Sequence, residues 1–268
     1  MKAAIIQSNP AHLDAQITRA RLERQLRSLA GKGVQLVVLP ELAGSGYAFP
    51  SRETLSEHAE VADGTGAFLG WLWAQCRKYD FDIVAGFAER EGDRFYNSAA
   101  LIGPEGVIGV YRKIHLFDSE KEVFTPGDKG VPVFERRGVK VAMLICYDWA
   151  FPEVWRMAAC SGADLVAHPS NLVLPFCQTA TPGHALCNRI WVVTANRIGS
   201  EQLPNGSEIA FTGGSLALNP FAHAEASGPQ DEEWEGVFDF DVELARNKSV
   251  TTRNDLLQDR REYSGWNN

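Results

Sequence analysis

Three side chains that could cooperate in catalysis each stand directly after an apolar, strand-like stretch of the sequence. They are Glu41, Lys113 and Cys146. Reactive side chains of α/β proteins collect at the carboxyl ends of strands, where loops bring them together. A carboxylate, an ammonium group and a thiol at one such edge would supply a general base, a fixed cation for an oxyanion and a nucleophile.

Each of these residues also has an ordinary structural explanation when it is taken alone. Glu41 could be a solvent-facing acid in a loop, and Lys113 could be surface charge. Cysteines are often buried as small hydrophobic residues, and this is the default for the other four, Cys76, Cys160, Cys177 and Cys187. The cysteine number is odd and no C-x-x-C pair occurs, so neither a disulfide framework nor a zinc ribbon is indicated.

The surroundings of Cys146 favour a nucleophile over a structural thiol. The residue ends a predicted strand, and a helix is predicted to begin shortly afterwards at Pro152, a position that tolerates proline. A helix N-terminus favours nearby negative charge, so it helps a thiolate to form and an oxyanion to bind. This is the strand–turn–helix context in which nucleophiles are commonly presented.

The elements that must position these residues begin with a β-α-β unit. Residues 3–7 predict a strand, residues 13–29 a helix with apolar residues at helical spacing, and residues 34–39 a strand. The last of these is almost continuously apolar, which is typical of a strand covered on both faces.

The rest of the chain continues the alternation and adds hairpins. Helices are predicted at 65–79 and 152–162, and strands at 82–87, 96–102, 107–111, 139–145, 165–167, 191–195, 214–219 and 236–240. This order predicts a mixed α/β (α+β) sheet system with helices outside, and it leaves open whether there is one sheet or two. No linker-like segment occurs, so residues 1–268 are predicted to form a single domain with a polar tail at 245–268. That tail could be loose or could contact a partner subunit.

The combination of the three segments resembles the nitrilase superfamily of carbon–nitrogen hydrolases. The glutamate motif of the family is matched at residues 40–42, the lysine motif at 111–116 and the cysteine motif at 145–148. Order and spacing also agree, and the resemblance extends over nearly the whole chain. It implies a Glu–Lys–Cys triad made of Glu41, Lys113 and Cys146.

The resemblance carries further expectations about architecture and site. It implies a four-layer α-β-β-α sandwich, subunits that pair through helices as a homodimer or a larger homo-oligomer, and no metal or organic cofactor. Many members have a second glutamate after the lysine. Glu120 takes that position here, and Glu122 is its competitor because the register of a loop is easily misjudged.

A mechanism follows from these expectations. Glu41 would take the thiol proton of Cys146, and Lys113 with the backbone N–H of Tyr147 would bind the oxyanion. Glu120 would orient the substrate and hold Lys113, whereas His115 matches a motif position that is not catalytic. The pocket is predicted to be shaped by loops at 42–63, 117–130 and 172–190 and lined by Tyr47, Phe117, Trp149 and Asn171.

The residues after the nucleophile favour an amidase. Nitrilases of the family often have Cys-Trp-Glu at this point, whereas residues 146–149 read Cys-Tyr-Asp-Trp, closer to the amidase and carbamoyl-hydrolase branches. The predicted reaction is hydrolysis of a small aliphatic amide to a carboxylic acid and ammonia. Alternatives are a nitrilase, an N-carbamoyl amidohydrolase, a thiol acyltransferase, or an inactive binding or scaffold protein of the same fold. A papain-like protease is disfavoured by the strands before Cys146, although histidines occur downstream.

Composition excludes several other classes of partner. The net charge is −8 and the pI is about 5.3, so nucleic acid and anionic membrane surfaces are not expected to bind. No apolar stretch approaches the roughly 18 residues of a membrane span. The N-terminus lacks the apolar core of a signal peptide, which predicts a cytoplasmic protein that acts on a small molecule.

Overall fold

The structure, a computed structural model, describes residues 1–203 and 205–261. Its strands are β1 (Lys2–Gln7), β2 (Leu36–Val38), β3 (Asp82–Glu91), β4 (Arg94–Gly103), β5 (Gly106–Arg112), β6 (Val133–Arg136), β7 (Val139–Met143), β8 (Leu165–Pro169), β9 (Trp191–Ala195), β10 (Ser200–Gln202), β11 (Glu208–Ala210), β12 (Leu216–Leu218), β13 (Ala224–Ser227), β14 (Trp234–Asp239), β15 (Ser249–Thr251) and β16 (Asn254–Asp255). Its α-helices are α1 (Ala15–Ser28), α2 (Arg52–His58), α3 (Ala67–Tyr79), α4 (Glu120–Val123), α5 (Pro152–Cys160), α6 (Cys177–Asn188) and α7 (Val242–Arg246). A short 3-10 helix, Cys146–Ala150, connects β7 to α5.

The first large sheet has six strands in the order β14-β1-β2-β3-β4-β5. Strands β1, β2 and β3 are parallel to one another, and the other pairs are antiparallel. Both faces of this sheet are buried, and alternating residues of β1 pack into two different hydrophobic cores. Ala4 and Ile6 join a core with α1 and α3, whereas Ala3 and Ile5 face the second sheet.

The second large sheet has six strands in the order β13-β12-β9-β8-β7-β6. Its central strands β7, β8 and β9 are parallel, and their residues are almost completely buried. Val154, Trp155 and Ala158 of α5 pack on this sheet in the same core that receives the inner face of the first sheet. The layers therefore run helix, sheet, sheet, helix, which confirms the expected four-layer sandwich. The sequence left open whether there is one sheet or two, and the structure has two large sheets.

The N-terminal β-α-β unit forms as predicted, with α1 starting at a side-chain cap. The Asp14 carboxylate accepts hydrogen bonds from the backbone N–H groups of Gln16 and Ile17 at 3.1 and 2.9 Å. These are two of the N–H groups that an α-helix cannot satisfy itself. Leu22 and Leu26 then point to the sheet, so the amphipathic spacing decides which face of α1 is buried.

The three segments predicted as pocket-shaping loops each contain a helix, which corrects that expectation. They hold α2, α4 and α6, and α6 is the longest of the three. Pro182 and Gly183 within α6 are poor helix formers, so its local sequence gives little helical signal. Cys177, Thr181 and Ala185 are buried four residues apart, so tertiary packing of one face stabilises the helix.

The predicted C-terminal tail is attached to the body as far as it is described. Residues 245–246 end α7, and β15 and β16 form a small hairpin. The ammonium group of Lys248 donates hydrogen bonds to the carbonyl oxygens of Asn188 and Arg189 at 3.1 and 2.8 Å, beyond the last turn of α6. Residues 262–268 of the tail lie outside the described part of the chain. None of the described helices is long and apolar enough to cross a membrane.

Candidate active site

Glu41 is held at the carboxyl end of β2 by a close approach of two backbone segments. A Cβ atom on Gly86 of β3 would lie 2.4 Å from the Cα atom of Glu41, so only glycine allows this contact. The N–H of Gly86 donates to the carbonyl oxygen of Pro40 at 3.0 Å, and the N–H of Ala43 donates to that of Gly86 at 2.9 Å. The Glu41 side chain is thereby fixed in a completely buried position.

Lys113 follows β5 at the same edge of the first sheet and lies between two carboxylates. Its Nζ atom donates to Oε1 of Glu41 and to Oε1 of Glu120, both at 2.7 Å, and its side chain is fully buried. Burial acts to lower the pKa of Lys113, but Glu120 and Glu41 outweigh it and the pKa is raised. Since an ammonium group has three N–H donors, one remains for another acceptor.

Glu120, rather than Glu122, is the second glutamate that faces the site. Its side chain is buried at the start of α4, accepts from Lys113 and also accepts from the Tyr47 hydroxyl at 3.0 Å, whereas Glu122 is exposed. Burial and the charge of Glu41 raise the pKa of Glu120 to about 7, against the opposing effect of Lys113. The site thus holds one firm cation beside two carboxyl groups.

Cys146 is presented on a strained backbone between β7 and the 3-10 helix. Its φ angle is 43°, in the left-handed region that non-glycine residues rarely adopt. Asp148 secures this turn, because its carboxylate accepts from the N–H of Ile145 at 2.9 Å and from the Tyr111 hydroxyl at 2.7 Å. Asp148 follows Cys146 by two residues and was not assigned this function from the sequence.

The surroundings of Cys146 favour the protonated thiol. Burial raises its pKa well above the ordinary value, and the negative charge of Glu41 adds to the effect. Lys113 and the backbone N–H of Asn171, which faces the sulfur, act in the opposite direction but do not outweigh burial. A group that accepts the proton is therefore required before the sulfur can attack.

One oxygen of Glu41 is free to accept such a proton. Oε1 accepts from Lys113 and from Nδ2 of Asn97, both at 2.7 Å. Oε2 is buried and has no hydrogen-bond partner in the described part of the chain. Asn97 was missed in the sequence, where the only signal was a pair of polar residues, Asn97 and Ser98, within a strand that is otherwise buried and largely apolar.

A small cleft opens beside the sulfur. It is lined by Phe117, Cys146, Tyr147, Trp149, Asn171, Leu172, Val173 and Leu174, with a cavity volume of about 20 Å³. Phe117, Trp149 and Asn171 thus lie where the sequence analysis expected pocket residues, and the chain segment that supplies the expected Tyr147 N–H borders the same cleft. Tyr47 was also expected to line the pocket, but it is not among the described residues that line this cleft. Its hydroxyl group contacts Glu120 instead.

Two histidines near the site have structural contacts. Nδ1 of His115 lies 2.7 Å from Asp148, and its ring stacks on Phe151. Burial lowers the pKa of His168 to about 4, so its ring is neutral near pH 7. Nε2 of His168 donates to the carbonyl oxygen of Cys146 at 3.0 Å, which leaves Nδ1 to accept from Thr194 at 3.1 Å. His168 therefore supports the turn that carries Cys146 and does not form a thiolate–imidazole pair.

Comparison with known proteins places this chain in a family. The family model for carbon-nitrogen hydrolases matches residues 2–250. The chain belongs to the carbon–nitrogen hydrolase family. This hydrolase is 43% identical over 262 residues to a nitrilase from Pyrococcus abyssi, with 98% of each chain covered. It is 34% identical to an (R)-stereoselective amidase from a Pseudomonas species, covering 97% of this chain and 92% of the relative.

Solved structures of one amidase resemble this hydrolase over nearly its whole length. The E41Q mutant of the amidase from Nesterenkonia sp. AN1 has a TM-score of 0.81 and 28% identity, covering 97% of this chain and 94% of the other. In that structure the active-site cysteine carries the acetamide moiety of fluoroacetamide, and in another it carries the product of acrylamide addition. The predicted fold and the predicted class of enzyme are both confirmed by these relatives.

Proposed function

We propose that Cys146 of this hydrolase attacks the carbonyl carbon of a small, uncharged amide and releases ammonia and a carboxylic acid. The observation that carries this proposal is the position of Lys113. This residue is completely buried and donates to Glu41 and Glu120 at 2.7 Å each, and the charges of all three act on the thiol of Cys146. Such a cluster is costly to bury, and its free donor and free acceptor match the two needs of thiol catalysis.

The first half of the reaction forms a thioester. Oε2 of Glu41 accepts the thiol proton as the sulfur bonds to the carbonyl carbon, and the carbonyl oxygen gains the negative charge. The remaining N–H of Lys113 and the backbone N–H of Tyr147 stabilise this oxyanion; one such donor is typically worth about 3–4 kcal/mol of the barrier. The C–N bond then breaks, and Glu41 returns the proton to the leaving ammonia.

The second half of the reaction hydrolyses the thioester. Glu41, again ionised, takes a proton from a water molecule whose oxygen attacks the same carbonyl carbon. The oxyanion uses the same two donors, and the C–S bond breaks with return of the proton to the sulfur. Glu120 holds Lys113 in place throughout, and Tyr47 fixes Glu120 through its hydroxyl group.

The cleft supports a substrate with a short and uncharged acyl group. Among the described residues, none that lines it carries a charged side chain at neutral pH, so a carboxylate or ammonium group on the substrate would be buried without a partner. The cavity volume of about 20 Å³ marks a narrow cleft, which favours an acyl group of few heavy atoms.

A nitrile is the second candidate substrate. The relative from Pyrococcus abyssi with 43% identity is named a nitrilase, and addition of a thiol to a nitrile also yields a thioester after hydrolysis of the thioimidate. We favour the amide because the solved structures that resemble this hydrolase are of an amidase in which small amides reach the active-site cysteine.

A substrate panel tests the proposal directly. Purified enzyme is incubated with acetamide, propanamide, isobutyramide, the corresponding nitriles and N-carbamoyl amines, and ammonia release is measured with Cys146→Ala as the control. We expect release from short amides and none from the variant. Ammonia release from nitriles alone would indicate a nitrilase, and ammonia release from N-carbamoyl amines alone would indicate a carbamoyl hydrolase. A folded enzyme inactive on all three classes would refute the proposal.

We further propose that two copies of the hydrolase pair through the outer face of α5 and α6. Met157 and Leu186, one on each of these neighbouring helices, are 46% and 45% exposed. Exposed apolar side chains in one region are typical of an interface.

Light scattering tests the pairing. We expect a mass twice the chain mass of 29.5 kDa and a single chain mass for Met157→Glu combined with Leu186→Glu. The matched control is Val61→Glu, an equally exposed apolar position outside α5 and α6, which should leave the mass unchanged. A wild-type enzyme of one chain mass at micromolar concentration would contradict the pairing.

A further inference from the structure

Asn171 is a buried polar side chain that has nothing in the described protein to bind. It is 2% exposed, it lines the cleft beside Cys146, and neither Oδ1 nor Nδ2 has a hydrogen-bond partner among the described residues. Buried carboxamides in folded proteins are almost always paired, because an unpaired donor or acceptor loses its bonds to water without replacement. An exception at the wall of a catalytic cleft points to a ligand.

The backbone around Asn171 keeps this side chain in the cleft. The N–H of Ser170 donates to the carbonyl oxygen of Ala195 at 2.8 Å, and the N–H of Leu172 donates to Oδ1 of Asn196 at 2.8 Å. The N–H of Asn171 itself faces the sulfur of Cys146. The main chain is thus secured on both sides of Asn171, and the residue is fixed directly beside the atom that bonds to the substrate.

The chemistry of the cleft limits what Asn171 could bind. Its side chain offers one acceptor and two donors, which match a hydroxyl group or a second amide. The other lining residues are aromatic or aliphatic apart from Cys146, and the described lining contains no charged group to balance a carboxylate or an ammonium ion. A neutral hydrogen-bonding group is therefore the partner that satisfies Asn171 without leaving a charge buried.

We propose that Asn171 determines substrate specificity by binding a hydroxyl or amide group on the acyl part of the substrate, next to the carbonyl carbon that Cys146 attacks. The proposal rests on the amidase function proposed above and deepens it. Because Asn171 stands on one side of the sulfur, it meets such a substituent in only one of two mirror-image arrangements. The enzyme therefore prefers 2-hydroxy amides over their methyl counterparts and prefers one enantiomer of them.

Matched substrates test this proposal in the wild-type enzyme. The kcat/KM values are compared for the two enantiomers of 2-hydroxypropanamide and for isobutyramide, in which a methyl group replaces the hydroxyl. We expect one hydroxy enantiomer to exceed isobutyramide by about 10- to 100-fold, as for a buried hydrogen-bonding group that gains its partner. Equal values for all three would overturn the proposal, whereas inactivity on every amide would instead overturn the amidase function.

The variant Asn171→Leu has nearly the same shape and removes both polar atoms while keeping the backbone N–H beside Cys146. We expect its hydroxy-to-methyl ratio and its enantiomer ratio to fall to about one, whatever its overall rate on isobutyramide. The control is Val61→Ala, at an exposed apolar position outside the cleft lining, which should leave both ratios as in the wild type. Unchanged ratios in Asn171→Leu would refute the specificity role. The wild-type comparison decides even if this variant fails to fold.

Discussion

Replacing Cys146 by serine is expected to lower kcat for amide hydrolysis by about 10⁴-fold or more without unfolding the protein. A hydroxyl group has a much higher pKa than a thiol, and the site already raises the pKa of the group at this position through burial and the charge of Glu41. The oxygen would therefore remain protonated through most of the approach to the carbonyl carbon. The serine side chain is slightly smaller than the cysteine side chain, so the packing cost is small.

Mass spectrometry and ammonia release together check this expectation. A Glu41→Gln variant treated with fluoroacetamide should gain one adduct at Cys146, as the corresponding mutant of the Nesterenkonia amidase does, and adding Cys146→Ser to it should abolish that adduct. Cys187→Ser is the matched control, because Cys187 is an exposed cysteine and its replacement should leave both adduct and activity intact. A Cys146→Ser enzyme that keeps a tenth of the activity, or an adduct on Cys187 that accounts for inactivation, would show that the nucleophile lies elsewhere.

Replacing Lys113 by methionine is expected to damage catalysis and stability together. The variant loses a donor to the oxyanion, which costs about 10²- to 10³-fold in kcat. It also leaves Glu41 and Glu120 buried side by side without a cation, and removal of one partner of a buried ion pair typically costs about 3–5 kcal/mol of unfolding free energy. Lys121→Met, at an exposed position of α4, should change neither quantity.

The stability loss in Lys113→Met should depend on pH with a defined sign. Burial raises the pKa of Glu120 from 4.5 to about 7 even with Lys113 present. A carboxyl group with a raised pKa in the folded state stabilises the fold fully below its unfolded value and loses that contribution as pH rises through its folded value. Without the ammonium group of Lys113, the pKa of Glu120 in the folded protein rises further. The stability that Lys113→Met loses relative to the wild type should therefore be larger at pH 8 than at pH 5.

Urea unfolding of wild type and variant at the two pH values measures this difference. Adding Glu120→Gln to Lys113→Met removes one of the unbalanced carboxyl groups and should recover part of the stability at pH 8 without recovering activity. A deficit that is the same at both pH values would mean that the two carboxylates do not depend on Lys113 for their charge balance.

Much of the fold and three candidate site residues could be proposed from the sequence. Glu41, Lys113 and Cys146 each follow a segment predicted as a strand, and together these segments resemble one family; in the structure Lys113 contacts Glu41, and the charges of both act on Cys146. Most strands and the helices α1, α3 and α5 were predicted because their periodicity is local. The choice between Glu120 and Glu122 required the structure, because one turn of α4 decides which carboxylate is buried.

What the sequence could not reveal depends on contacts between distant segments. Asn97 contacts Glu41 at a sequence separation of 56 residues, and Asp148 contacts Tyr111 at a separation of 37, so no local sequence pattern predicts either contact. Helix α6 was missed because its stability comes from its buried face and not from the helix propensity of its residues. The role proposed for Asn171 has the same origin, since its unpaired state can be seen only after every neighbour is placed.

The two sheets contribute different halves of the chemistry. Glu41 and Lys113 follow β2 and β5 of the first sheet, whereas Cys146 follows β7 of the second. During synthesis the base and the cation leave the ribosome before the thiol, and none of them has a reaction partner until the sheets close on each other. If the proposed mechanism holds, a nascent or partly opened chain carries a cysteine without its base and its cation, and hydrolytic activity is expected only once the core between the sheets has formed.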